Sequence, residues 1–138
     1  MIVLDTNVIS ELMRPVPEDR VSRWTRTQPT ASLCVTSITQ AEILHGVLLL
    51  PKGKRQDLLQ AAAIAMFEVD LGGRILPFDT DAALQYARIA VDRRRAGRPI
   101  SHFDAQIAAI ARAHGAAVAT RNTADFGGCG VEVIDPWE

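Results

Sequence analysis

The chain has 138 residues, 48% of them hydrophobic, with 15 Lys plus Arg against 16 Asp plus Glu. That length supports one core and one active site rather than two, and the near-zero net charge excludes the overall basic signature of a general nucleic-acid binder. No apolar stretch approaches the ~20 residues that cross a membrane, two cysteines without a CxxC (Cys34, Cys129) do not suggest a disulfide framework or zinc knuckle, and the N-terminus lacks a basic leader with a cleavage site, so a reducing cytoplasm is the expected location.

Met1 to Leu4 reads as a short buried strand, and Thr6 to Met13 as a helix stopped by Pro15 and Pro17. Glu18 to Gln28 suits a second helix and Leu33 to Val35 a second strand. Ser37 with Gln40 has the spacing of a capping box, opening a helix to about Leu50. An alanine-rich helix is expected over Lys54 to Val69, ended by Gly72-Gly73. Arg74 to Phe78 is a candidate strand, Asp79 an N-cap, and the helix it opens runs to Gly97. Ser101 to His114 is a further helix closed by Gly115, and Ala116 to Ala119 and Val131 to Ile134 are the last strands. Strand and helix alternate about five times. That pattern predicts a single α/β domain over residues 1–138, with a central, mostly parallel sheet of about five strands covered by helices on both faces. Ligands in such sheets bind beyond the carboxyl ends of the strands.

Four acids fall at or near such ends. Asp5 follows the first strand, Glu42 lies in the helix after the second, Asp104 is in the first turn of its helix, and Asp125 comes shortly after the strand at Ala116 to Ala119, beyond Thr120 and Asn122. Each also has a plainer reading. Asp5 caps a helix, Asp104 ends the capping pattern Ser-His-Phe-Asp, and Asp125 stands three residues after a possible cap at Asn122. Glu42 resists that reading, because it precedes Ile43, Leu44, Val47 and Leu48, and a carboxylate beside an apolar face is costly unless partnered. If the four converge, each ionised pair about 6 Å apart repels by roughly 3 kcal/mol at an effective dielectric of about 20. Such a cluster needs cations or protons, and an all-oxygen donor set favours Mg²⁺ or Mn²⁺.

At these residues the chain resembles a known family. The segments DTNVIS, ITQAEILHG around Glu42, SHFDAQIAAIARAHG around Asp104 and ATRNTADF look like a PIN-domain protein, in particular a VapC-type, FitB-like toxin ribonuclease. The likeness runs the whole chain, including RILPFD and the closing DPW. It implies a Rossmann-like three-layer PIN fold, dependence on Mg²⁺ or Mn²⁺, and hydrolytic cutting of RNA. It also implies a homodimer neutralised by a small VapB/FitA-like antitoxin. By position Asp5, Glu42 and Asp104 match the core acids, and Thr6 and Thr120 match hydroxyls near the metal. Many relatives carry an acid where this chain has Asn122, so Asp125 is the candidate for the fourth carboxylate.

The expected chemistry is attack of a metal-activated water on an RNA phosphodiester, with Asp5, Glu42 and Asp104 holding the ion and Asp125 or Asn122 orienting water or a second ion. Arg121 beside the site and the cluster Arg93, Arg94, Arg95 and Arg98 are candidates for RNA contact. For the cluster, the alternative is a solvated helix end favoured by the helix dipole. Thirteen of the 15 cations are arginine, only Lys52 and Lys54 being lysine, and arginine is the better bidentate phosphate partner. An aspartyl-phosphate phosphatase using Asp5 is a second reading, opposed by Asn7 where such enzymes carry another acid. A catalytically silent RNA- or partner-binding module is a third, opposed by the presence of every core acid. His45, His102 and His114 lack metal-ligand spacing. The apolar excess of Leu48-Leu49-Leu50 and the alanine-rich helix reads either as core or as a dimer or antitoxin surface.

Overall fold

The computed structural model describes the whole chain, Met1–Glu138. Five strands, β1 (Ile2–Leu4), β2 (Leu33–Thr36), β3 (Ile75–Leu76), β4 (Ala117–Ala119) and β5 (Val133–Ile134), pair in the order β3-β2-β1-β4-β5. Every pairing is parallel. Six helices connect and cover them: α1 (Thr6–Leu12), α2 (Asp19–Thr27), α3 (Ser37–Leu48), α4 (Lys54–Ile64), α5 (Thr80–Arg95) and α6 (His102–Ala113).

The strands are short enough that the layering can be followed residue by residue, since successive side chains leave opposite faces. Val3, Cys34 and Val118 point into a core built with Ile89 of α5 and Ile107, Ala108 and Ala111 of α6. Their neighbours Leu4, Val35 and Ala119 point the other way, into a core with Val8 and Ile9 of α1, Val21 of α2, Ile43 of α3 and Ala63 of α4. The result is three layers, with α5 and α6 on one face of the sheet and α1 to α4 on the other. No helix is long and apolar enough to cross a membrane.

Several local expectations change. The cap of α3 is Thr36, whose hydroxyl accepts the Thr39 N–H, rather than a box of Ser37 with Gln40. The alanine-rich helix is α-helical only to Ile64; Ala65–Asp70 widens to π-helical turns. Gly72 follows so closely that a Cβ there would lie 2.6 Å from the Glu68 carbonyl oxygen. The ladders of β3 and β5 are two residues each, shorter than the apolar runs around them. Asp79 and Ser101 do cap α5 and α6.

The topology selects the place for chemistry. From β1 the chain steps outward to β2 and β3, then returns to lay β4 on the other side of β1. The boundary between β1 and β4 is therefore the switch point of the sheet, and the crevice beyond their carboxyl ends is open to a ligand. Asp5 and Thr120 are the residues that follow those two strands.

Candidate active site

Asp5 is both cap and site residue. Its extended backbone opens α1, and its Oδ1 accepts the Thr6 N–H at 2.8 Å. Its Oδ2 accepts the Thr120 hydroxyl at 2.8 Å, so the carboxylate bridges the switch point. Glu42, on the inner face of α3, accepts the Thr6 hydroxyl at 2.9 Å, and that hydroxyl lies 3.0 Å from Thr39 Oγ1. Asp104 is half-buried in the first turn of α6, its N–H donating to Ser101 Oγ at 3.2 Å. All three acids line one open cavity of about 470 Å³, together with Thr6, Asn122 and Arg121.

The electrostatics follow from burial without cations. Asp5 is 4% exposed, and loss of water pushes its pKa up to about 6; the bonds from Thr120 and Thr6 pull it back, and the charges of Asp104 and Glu42 add to the rise. Burial is also the main cause of the upward shift at Glu42, opposed by the Thr6 hydroxyl and reinforced by Asp104. Asp104 is raised by burial, against the Ser101 bond, with Asp125 raising it and Arg93 lowering it. Neither of the two ion pairs in the chain, Arg14–Glu11 and Arg23–Asp19, reaches these acids. Asp5, Glu42 and Asp104 are therefore held back from ionising, and none of the three forms an ion pair within the chain.

This donor set fits a hard divalent cation. It offers carboxylate and hydroxyl oxygens and no nitrogen or sulfur, the preference of Mg²⁺ and Mn²⁺. No three acidic, imidazole or thiol side chains converge tightly enough to cage an ion by themselves. Mg²⁺ tolerates that, because it keeps several waters and takes one or two carboxylates from the protein.

The remaining candidates divide. Asn122 lines the cavity, its N–H donating to Thr120 Oγ1 at 3.1 Å. Asp125 is exposed on the 3₁₀ turn Thr123–Phe126, outside the cavity lining, and reaches the site only through its charge on Asp104. Arg93 corrects both readings of the arginine cluster. It is 6% exposed, and its guanidinium donates to the carbonyls of Arg98 (2.6 Å), Asp125 (2.8 Å) and Gly127 (2.7 Å), so it is neither a solvated helix end nor free for RNA. Arg98 donates to the Ala124 carbonyl at 3.2 Å, while Arg94 and Arg95 are exposed. His102 shares a 2.8 Å hydrogen bond with the Tyr86 hydroxyl.

Asn7, Glu11 and Trp137 also line the cavity, and sequence reasoning did not place them there. For Asn7 and Glu11 the signal was present, since with Asp5 setting the start of α1 they fall four apart on one helix face. For Trp137 there was none, because nothing local ties it to β1.

The model of the PIN domain matches residues 2–126. This chain belongs to the PIN-domain family. Among curated relatives, this PIN domain is 43% identical to the VapC ribonuclease Y4jK of Sinorhizobium fredii over 138 residues, covering 100% of this chain and 99% of that one. It is 41% identical to Toxin FitB of Neisseria gonorrhoeae over 137 residues, covering 99% of each. Among solved structures, FitAcB from Neisseria gonorrhoeae superposes with a TM-score of 0.92, with 40% identity over 100% of this chain and 99% of that chain. The three-layer PIN fold expected from the resemblance is the one observed, with five parallel strands.

Proposed function

We propose that this PIN domain is the ribonuclease toxin of a toxin-antitoxin pair, hydrolysing RNA phosphodiesters with the help of Mg²⁺ or Mn²⁺. The observation that carries the reading is the meeting of Asp5, Glu42 and Asp104 in one cavity at the switch point of the sheet, all three raised in pKa and none paired with a cation. The ribonuclease and toxin names of full-length relatives supply the substrate class.

Asp5, Glu42 and Asp104 would hold the ion, which when bound supplies charge neutralisation at the phosphate and a coordinated water of lowered pKa. Thr120 and Thr6 fix the carboxylates of Asp5 and Glu42 in the orientations just described, so that little reorganisation remains on loading. Asn122, at the cavity edge, is suited to orienting water or substrate, and Asp125 to tuning Asp104 through its charge. No side chain acts as a covalent nucleophile.

The likeness to FitB and to the FitAcB assembly supports a small antitoxin as partner. The apolar residues Leu48, Leu49, Leu58 and Ile64, all exposed on or beside α3 and α4, support a protein-binding surface there, for a second copy or for that antitoxin. Two buried, unpaired thiols suit work in a reducing cytoplasm.

The test is to incubate the pure protein with structured RNA, with Mg²⁺, with Mn²⁺ and with chelator. Cleavage is expected only with the divalent ions. Asp5→Asn and Asp104→Asn should each lower the rate at least about a hundredfold, since a metal's charge stabilisation is worth several kcal/mol. Cleavage at the wild-type rate by either variant, or in chelator, overturns the assignment.

A further inference from the structure

Building on the nuclease reading above, we infer that Arg121, lying over the face of Trp137, is the residue that grips a phosphodiester of the RNA strand at the mouth of the cavity, and that Trp137 is its positioning residue. The cavity is lined by four carboxylates, Asp5, Glu11, Glu42 and Asp104, and by two guanidiniums, Arg14 and Arg121. Arg14 is engaged, paired with Glu11 at 3.3 Å. Arg121 is exposed, and its guanidinium makes no hydrogen bond or ion pair within the chain. It is thus the one unpaired cation on a wall that a polyanion must approach.

The way it is held leaves it ready for phosphate. Its guanidinium carbon sits 5.1 Å from the centre of the Trp137 ring. A cation over a ring engages through its face and leaves the N–H groups at the guanidinium edge free for a bidentate oxyanion. Behind it, the Arg121 N–H donates to Asn7 Oδ1 at 3.3 Å, Asn7 Nδ2 donates to Thr120 Oγ1 at 3.3 Å, and the Thr120 hydroxyl reaches Asp5. This chain of bonds fixes the backbone of Arg121 relative to the acid at the centre of the site.

Trp137 is the rigid half of the pair. It is 8% exposed and packs in the core with Leu4, Val8 and Ile9, and its carbonyl accepts Arg20 Nη1 at 3.1 Å. Its indole Nε1 is buried without any acceptor. A phenylalanine would avoid that unsatisfied donor. What the indole adds over a phenyl ring is the stronger cation-binding face, and Arg121 is the cation that uses it.

The experiment measures binding of a labelled single-stranded RNA of about a dozen nucleotides in chelator, across a salt series, and separately kcat and KM for its cleavage with Mg²⁺. Arg121→Ala should weaken binding and raise KM about 10- to 100-fold, the range for a lost charged hydrogen bond, with a much smaller effect on kcat. The slope of log affinity against log salt should become shallower by about 0.7, the loss of one phosphate contact on a single strand. Trp137→Phe should raise KM several-fold while the melting temperature holds or rises, a split that a purely structural role for the ring would not produce. An unchanged slope and KM for Arg121→Ala, or a Trp137→Phe protein that loses stability and affinity together, overturns the inference. If the wild-type protein cuts RNA and Arg121→Ala cuts with the same KM, the inference fails and the nuclease reading stands. If the wild type binds RNA and never cuts it, the nuclease reading fails and the salt slope still decides for or against Arg121.

Discussion

Replacing Asp5 by Asn should make the metal-free protein more stable at neutral pH while removing its activity. The carboxyl has a pKa of about 6 in the folded chain against 3.8 in the reference state, and that gap corresponds to about 3 kcal/mol. The sign follows from which state holds the proton. An acid raised by folding binds its proton more tightly when folded, so it contributes nothing against the fold below about pH 4. Its full penalty is present above about pH 6. Asn removes the penalty but can accept through only one atom, so one of the two bonds to Thr6 N–H and Thr120 Oγ1 is lost, at about 1 kcal/mol. The net is about 2 kcal/mol of stabilisation at pH 7.5, on the order of 8 °C in Tm for a domain of this size. At pH 4 the variant should instead be less stable by about 1 kcal/mol, leaving only the lost bond. Thermal melts in chelator at several pH values between 4 and 7.5 read the crossing directly. A variant less stable than wild type at pH 7.5 without divalent ions, or a difference that stays constant over that range, refutes the argument that Asp5 is held against its own ionisation. Mg²⁺ should narrow the gap by stabilising wild type through binding to the folded state.

Arg93→Ala leaves the carbonyls of Asp125 and Gly127 without their donor and should cost about 3 kcal/mol by urea denaturation, whereas Arg94→Ala should stay within about 0.5 kcal/mol; equal effects would return Arg93 to the surface cluster. Gly72→Ala places a methyl against the Glu68 carbonyl and should lower the unfolding free energy by about 1 to 3 kcal/mol, read as a lower denaturation midpoint with an unchanged m-value. A neutral Gly72→Ala would show that the π-helical turn yields freely.

What could be read in advance was what local pattern dictates. The apolar run before Asp5 and the Pro15/Pro17 stop defined β1 and α1, and Asp79 and Ser101 stood where caps belong. Strand ends in a parallel sheet then brought Asp5, Glu42 and Asp104 to one place. Asp125 and Arg93 were misjudged for a shared reason. Both depend on how the turn after β4 folds against the end of α5, 32 to 34 residues apart in sequence. A run of three arginines at a helix end gives no sign that one will turn inward to meet carbonyls. The choice of Thr36 over Ser37 as cap is of a smaller kind, a one-residue shift between two competent hydroxyls.

The bond from Thr120 to Asp5 spans 115 residues of sequence. Closing so long a separation is slow compared with local helix formation, and a growing chain is made in order, at about 5 to 20 residues per second. Until β4 has left the ribosome and slotted beside β1, Asp5 has no hydroxyl to hold it and the cavity has no floor on that side. The site is thus assembled from two distant ends of the chain, and its geometry is complete only when synthesis is nearly done.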